Sequence, residues 1–500
     1  MKSGKHTYNM GIIGNCSYLA YINTESKIRW MCLPKFDSSY IFGSLLDEKK
    51  GGEFSIMPIE KNHTTNQYYL KNTNILITEF YTKDGSYRVI DFAPRFYHFD
   101  RYFRPLMLIR KLEVISGNPF IRVVCKPVGN YGKQVPEIVQ GSNHIQFQNL
   151  DSTVRLTTNV SLNYILDEKG FLLNETKYLA FTYGAPLEAP LISTAESFLE
   201  NTIKYWHNWI KTTYVPNIFQ EEVIRSALVL KLHQYEDTGA VIAAGTTSLP
   251  EHDQSGRTWD YRYCWMRDTY YTLNAFNNIG HFEELESYFN FIQNIILNEK
   301  DRIKPLYTIT GDPVPFETYM DLDGYLDNKP VRVGNNAIKQ IQNDVYGQIM
   351  ISLLPLFIDK RLNYVEKNKT IEITKNLLKQ IEKTIDEPDA GLWEFGNIKQ
   401  FHNYTALFHW AGSKAGLKVA SYFKNKELID LSNTLVLKAR EKIEECYDEK
   451  QKAYTQATKN SSMDASSFQL ITMNYLKEMP KRALSLIKTL ENKLQKKDGL

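Results

Sequence analysis

Two hydrophobic periods divide the chain. Up to about residue 193, apolar and β-branched residues come in short alternating runs, the pattern of strands whose successive side chains face opposite sides. The runs fall at 18–22, 54–57, 74–81, 87–92, 106–115, 120–127, 144–147, 154–157 and 178–183. Turn-forming triplets separate several of them, among them Lys83-Asp84-Gly85, Ser116-Gly117-Asn118 and Glu168-Lys169-Gly170. Strands at this spacing without intervening helices predict an antiparallel β-sandwich over 1–193. A linker helix follows within 194–216, carrying Trp206 and Trp209. From 217 to 500 the apolar residues return every three or four positions, predicting helices. They fall over 220–235, 268–278, 282–298, 336–357, 370–384, 402–422, 424–447, 463–476 and 481–494. Long loops at 240–267 and 304–335 interrupt this series, and loops of that length in a compact domain usually carry function.

One loop stands out between two of these helices. Residues 386–396 read Asp-Glu-Pro-Asp-Ala-Gly-Leu-Trp-Glu-Phe-Gly. Pro388 blocks helix continuation, and Gly391 and Gly396 allow the backbone to turn. Trp393 and Glu394 are presented together. A carboxyl beside an indole is partly desolvated, which raises its pKa as a general acid requires. A plain connection with a packed Trp and a solvated Glu has the same pattern.

Composition narrows the classes. The formal charge of +3 gives no electrostatic case for nucleic acid. Aromatics make up 13 % of residues, including 32 Tyr, a composition compatible with sugar stacking. The five cysteines are scattered, with no CxxC or Cys/His cluster. That fits a reducing compartment and offers no metal site; no coenzyme motif is present either. The N-terminus has no apolar signal region, so a cytoplasmic protein without a membrane span is expected.

Candidate chemistry concentrates in the long loops. Residues 259–268, Trp-Asp-Tyr-Arg-Tyr-Cys-Trp-Met-Arg-Asp, hold two Trp, two Tyr, two Asp and two Arg. Aromatic faces with Asp and Arg are the parts of a polyol site. Asp268 also falls where a helix begins, so a cap or dipole partner is the competing reading. The second loop carries Glu317, Asp321 and Asp323, then Pro330-Val-Arg-Val-Gly-Asn335. Gln340 and Asp344 are four apart on an expected helix, which is commonly only a solvated face.

In order along the chain, these blocks resemble family 15 of the glycoside hydrolases, the glucoamylase-like enzymes. Carrying the resemblance are Gly11-Ile-Ile-Gly-Asn with 28–37 near the N-terminus, 259–268, 330–335 with 342–347, and 387–394. The resemblance implies an N-terminal β-sandwich followed by an (α/α)6 barrel, with the active site where the inter-helix loops meet. It implies hydrolysis of α-glucosidic bonds from the non-reducing end with inversion. Glu394 would be the acid, with Trp393 beside it. Arg267 and Asp268 would grip the terminal glucose, Tyr261 and Trp265 would line its pocket, and Gln342 and Asp344 would support it.

The chain departs from the family pattern near its end. The family's catalytic base lies in a late Glu-rich block, and no carboxylate matches it before Leu500. Eight or nine helices follow the linker instead of twelve, which predicts an incomplete barrel with apolar faces exposed around 463–476 and 483–494. Either the 500 residues are part of a longer protein, or a second chain or self-association completes the barrel, or this is a degenerate, inactive copy; the chain alone would have little activity. Glu251, Glu317, Asp321 and Asp323 could face the funnel, but no motif gives them the base's role. A glucoamylase-like enzyme acting on α-glucans or oligosaccharides is the first expectation and an α,α-trehalase the alternative. An inactive or partner-dependent carbohydrate-binding protein is the reading from another class.

Overall fold

The computed structural model describes residues 7–299, 301–362, 365–394, 396 and 398–496. The first part is β-rich. Eight antiparallel strands form one sheet, in spatial order Glu137–Gln140, His144–Gln148, Val154–Thr158, Lys177–Tyr183, Met107–Gly117, Gly85–Phe92, Leu76–Tyr81 and Thr64–Tyr69. Facing it are a four-stranded sheet beginning at Met10–Gly14 and a three-stranded sheet centred on Phe120–Lys126. The near-continuous apolar runs of the central strands have a physical reason. Their alternate side chains enter two cores: Tyr87, Val89, Leu108, Leu112, Leu179 and Phe181 pack between the sheets. Ile90, Phe92, Met107, Ile109 and Tyr178 pack on the opposite face, against a helix. The hairpin Phe96–His98/Arg101–Phe103, absent from the sequence expectation, forms a separate two-stranded sheet in the connection between the strands Gly85–Phe92 and Met107–Gly117.

A short helix α1 (Leu162–Leu166) lies within the β region. Helix α2 (Leu191–Lys211) covers the large sheet with its first half and enters the helical core with Trp206 and Ile210. Among the contacts that tie the regions together, Arg95 bonds Glu236 at 2.8 Å, and the Trp30 indole donates to the Gly245 carbonyl at 2.8 Å.

The rest is helical: α3 (Gln220–Leu232), α4 (Met266–Asn278), α5 (Phe282–Asn298), α6 (Val345–Ile358), α7 (Lys367–Thr384), α8 (Asn403–Tyr422), α9 (Lys426–Glu444), α10 (Gln469–Thr472) and α11 (Pro480–Leu494). Helix α6 packs on both α4 and α8, while α5, α7 and α9 pack outside them. Helices α6 and α8 are buried nearly all round, as inner helices should be. Their closeness depends on two glycines. A Cβ on Gly347 would sit 2.0 Å from the Phe408 carbonyl, and one on Gly412 would sit 2.5 Å from the Gly347 Cα. Tight packing sets the N-termini of α6 and α8 side by side, next to that of α4.

Three expectations need correction. The helix expected over 336–357 is broken: a 3-10 turn, Asn336–Lys339, precedes α6, and Gln340 lies in the connection with Asp344 at the N-cap. Gln340 and Asp344 therefore do not share a helical face. The helix expected over 463–476 reduces to a 3-10 turn and the single turn α10. The apolar patch expected around 463–476 and 483–494 does not form. Leu470, Tyr475, Leu476, Leu486 and Leu490 are buried with Trp410 and Tyr454 in a separate core. In those two stretches only Leu484, 54 % exposed, is a large hydrophobic open to solvent among the described residues. The final residues 497–500 and Phe395 lie outside the described residues. Among the described residues, no helix is long and apolar enough to cross a membrane.

Candidate active site

The two long loops fold over the inner helices as small hairpins, Thr247–Pro250/Thr258–Asp260 and Thr318–Met320/Val331–Val333. Asp260 pins them together. Its carboxylate takes two bonds from Arg262 and one from the Gly334 amide, while its carbonyl accepts from Asn335. Arg262 also reaches Ser38 and Tyr131 in the β region. Asp260 and Arg262 are fully buried. Half of the Asp/Arg content that suggested a polyol site therefore serves to hold loops, since a buried charge is tolerated only when paired and hydrogen-bonded.

Between these hairpins and the 386–396 loop lies a cavity of about 880 Å³, within the size range of small-molecule sites. Tyr261, Arg267, Trp393 and Glu394 line it, with Glu251, Arg257, Trp259, Glu317 and Arg332. Glu394 has φ +58, in the left-handed region that a non-glycine residue adopts at a cost. That conformation turns its side chain into the cavity. Its Oε1 accepts from Arg267 at 2.8 Å, and 23 % of the side chain is exposed. Burial raises the Glu394 pKa; Arg267 opposes this, and Asp268 and Asp344 add to it, with a net upward shift. The shift has the expected direction, with burial as its largest cause. Trp393 is 54 % exposed and donates to Asp464 Oδ2 at 2.5 Å.

Arg267 is the hub. Besides Glu394 it reaches Gln342 Oε1 and the Leu392 carbonyl, each at 3.4 Å, and Asp268 Oδ2 at 3.6 Å. It stands over the Trp265 ring at 5.2 Å. Trp265 is itself buried, so it supports the guanidinium from below and does not line the cavity as expected. Asp268 is the third residue of α4. Trp265 occupies the N-cap, which removes the capping interpretation. Two-fifths of the Asp268 side chain, 41 %, is open, yet Oδ2 is sealed without a hydrogen bond. Gln342 and Asp344 are buried behind Arg267. Asp344 accepts from Gln348 at 2.6 Å, and its Oδ1 is unpartnered. Of the loop carboxylates, Glu251 and Glu317 reach the cavity wall. Asp321 points to solvent against Lys50, and Asp323 lies near Lys329.

This arrangement can hold a proton on a buried carboxyl next to a fixed cation in a cleft of sugar size. The comparisons with known proteins agree. The model for "Glycosyl hydrolases family 15" matches residues 217–499, more than half of the chain. The chain belongs to glycosyl hydrolase family 15. A "Trehalase-like, N-terminal" model matches residues 4–169 of this family member. It is 29 % identical over 484 residues to a trehalase of Thermoplasma acidophilum, covering 93 % of this chain and 81 % of that protein. It is 31 % identical over 416 residues to trehalase 1 of Sulfolobus acidocaldarius, covering 80 % and 69 % respectively. A trehalase of Mycolicibacterium smegmatis is 26 % identical over 525 residues, covering 98 % and 77 %.

Several residues around the family 15 site were not legible beforehand. Asp389, in the same loop as Glu394, accepts from the Asn343 amide at 2.9 Å and from Thr405 Oγ1 at 2.8 Å. It also pairs its backbone with Gln400. Burial, then Asp344, pushes its pKa up to about 7. Tyr404 Oη bonds Tyr271 at 3.0 Å and lies 3.4 Å from Gln348 Nε2; Gln469 donates to Tyr271. Asp464 and Gln469 come from the C-terminal segment, far from any motif in sequence. For Asp389 a signal existed, a carboxylate inside the motif loop; for the others there was none.

Proposed function

We propose that this family 15 member is an α,α-trehalase that hydrolyses the 1,1-glucosidic bond with inversion. The observation that carries this reading is the similarity to curated trehalases along both the β-rich and the helical parts. A glucoamylase-like activity on α-glucans, the first expectation from the motifs, has only the family in its support.

In this reading the glycosidic oxygen sits against Glu394. The protonated carboxyl gives its proton to that oxygen as the C1–O bond breaks, and the leaving glucose departs with the α configuration it already had. Water enters from the opposite face, so the other glucose is released as the β anomer. Inversion needs a second carboxylate ~6.5–9.5 Å from the acid to activate that water. Arg267 and Asp268 take hydroxyls of the glucose being cleaved, and Tyr261 forms part of its wall. Gln342 and Asp344 hold the Arg267 side that faces away from substrate. Trp393, fixed through Asp464, closes the site beside the acid.

The test is turnover on trehalose, maltose, isomaltose and dextrin, with proton NMR of the fresh products. Trehalose should have the highest kcat/KM and yield α- and β-glucose in equal amounts. A preference for maltose or dextrin would replace trehalase with the glucoamylase reading. Two α anomers would exclude inversion.

A further inference from the structure

Beyond Glu394 the cavity continues along a wall that no motif describes. Its centre is Trp259, half-buried on the strand Thr258–Asp260. The Arg332 guanidinium stands 4.4 Å from the indole centroid. Arg332 is itself 8 % exposed and held through Nε and Nη1: it donates to the Gly256 carbonyl at 3.0 Å, to Thr258 O and Oγ1 at 2.7 and 2.6 Å, and to Glu317 at 2.9 Å. The indole Nε1 donates to Glu251 Oε1 at 3.1 Å, and Arg257 holds both oxygens of Glu251 at 3.1 and 2.5 Å. The wall adjoins the acid: after burial, the charges of Glu394 and Glu251 both raise the Tyr261 phenol.

Two features define what this wall takes. Both carboxylates at the indole are neutralised, Glu251 by Arg257 and Glu317 by Arg332, while Lys339 and Lys399 line the cavity farther along. Carboxylate acceptors and guanidinium donors stay in reach of hydroxyls. The aromatic platform is also locked before anything binds, so little side-chain freedom is lost on binding. A flat apolar face edged by paired donors and acceptors suits a neutral pyranose.

We propose that Trp259, with Glu251 at its edge, forms the subsite for the second, leaving glucose and sets the preference for a disaccharide of glucose. The proposal rests on the trehalase reading. It is tested with two substrates that share the cleaved glucose and differ in the leaving group, trehalose and α-glucosyl fluoride. Trp259→Ala should lower kcat/KM for trehalose by on the order of tenfold or more, and for the fluoride by several times less. Trp259→Phe, which keeps the flat face, should recover most of the trehalose loss. Glu251→Gln should shift the same ratio in the same direction. In the Glu394→Gln background, calorimetry should show Trp259→Ala weakening trehalose more than glucose. Melting temperatures of all variants identify any that fail to fold, and the Phe and Gln variants keep the test open if the Ala variant does. Equal losses on the two substrates, or no loss on either, would overturn the subsite. If the wild-type protein cleaves the fluoride yet neither binds nor cleaves trehalose, the trehalase reading itself falls, and this subsite with it.

Discussion

Arg267→Met should move the titration of Glu394 upward even as it weakens turnover. The guanidinium is the largest influence holding the acid's pKa down, against burial and two neighbouring carboxylates. The N–O contact is 2.8 Å, which puts the charge centres at ~4 Å. A pair at that distance is worth about 4 kcal/mol at an effective dielectric of ~20. One pKa unit corresponds to ~1.4 kcal/mol, so the ceiling is about 3 units. Side-chain exposures of 13 % for Arg267 and 23 % for Glu394 admit solvent screening, and about 1–2 units is the working expectation. In its proposed role Glu394 must be protonated to act, so the rate should fall as pH rises through its pKa. Losing Arg267 should therefore shift the alkaline limb of kcat/KM to higher pH. A carbon-13 titration of the Glu394 carboxyl, assigned by its loss in Glu394→Gln, measures the same quantity without catalysis. An unmoved or lowered pKa would refute the account of how this acid is tuned.

Glu394→Gln keeps the shape of the side chain but removes the transferable proton, so turnover on trehalose should fall by ~10²–10⁴ or more while calorimetry still detects sugar binding. Asp268→Asn removes a neighbouring negative charge that raises Glu394, so the alkaline limb should shift down; kcat/KM should fall by a few kcal/mol equivalent, with the melting temperature little changed. Asp389 has a folded pKa raised to about 7, so its protonated form is favoured by folding. Its contribution is complete below the unfolded value of ~3.9 and is lost as pH rises to about 7, a change of roughly a few kcal/mol. Asp389→Asn should flatten that part of the stability curve, read as the difference in melting temperature between variant and wild type from pH 4 to 8 (about the span of the shift).

The β-rich then helical order was legible because the period of burial changes where the architecture changes. Helix α5 was expected over 282–298 and is Phe282–Asn298. The break before α6 was not legible, because Ile338 and Ile341 continue the helical spacing into Val345. The side-chain-to-backbone cap at Asn335, accepting from the Ala337 amide, closes a separate turn there. Near the chain end, apolar residues read as an unpaired face find partners in Trp410 and Tyr454, contacts that no local pattern encodes. The site divides in the same way. Glu394, Arg267 and Tyr261, singled out by the family resemblance, share one cavity. Trp265 was assigned to the wrong layer, because spacing does not tell whether an indole faces a ligand or supports the residue that does.

Which carboxyl holds the proton depends on where each one is mounted. Asp268, Asp344 and Glu394 surround the single guanidinium of Arg267, and burial raises all three. One positive charge does not balance three negative ones in such a site, so the group titrates as a coupled set. Asp268 lies in the first turn of α4, and Asp344 occupies the N-cap position of α6 without a side-chain capping bond. The positive end of each helix stabilises the anionic form by ~0.3–2 kcal/mol. Asp344 gains further from the Gln348 amide. Glu394 has no helix end beside it, standing on a loop in a left-handed conformation, but it holds the direct bond to Arg267 at 2.8 Å. The proposed role of Glu394 as acid requires that the first proton taken up on lowering the pH go to it. In difference infrared spectra across the alkaline limb, the protonated-carboxyl band should vanish in Glu394→Gln and survive in Asp268→Asn. The reverse pattern would place the proton on the helix-borne aspartate and remove Glu394 from the role of acid.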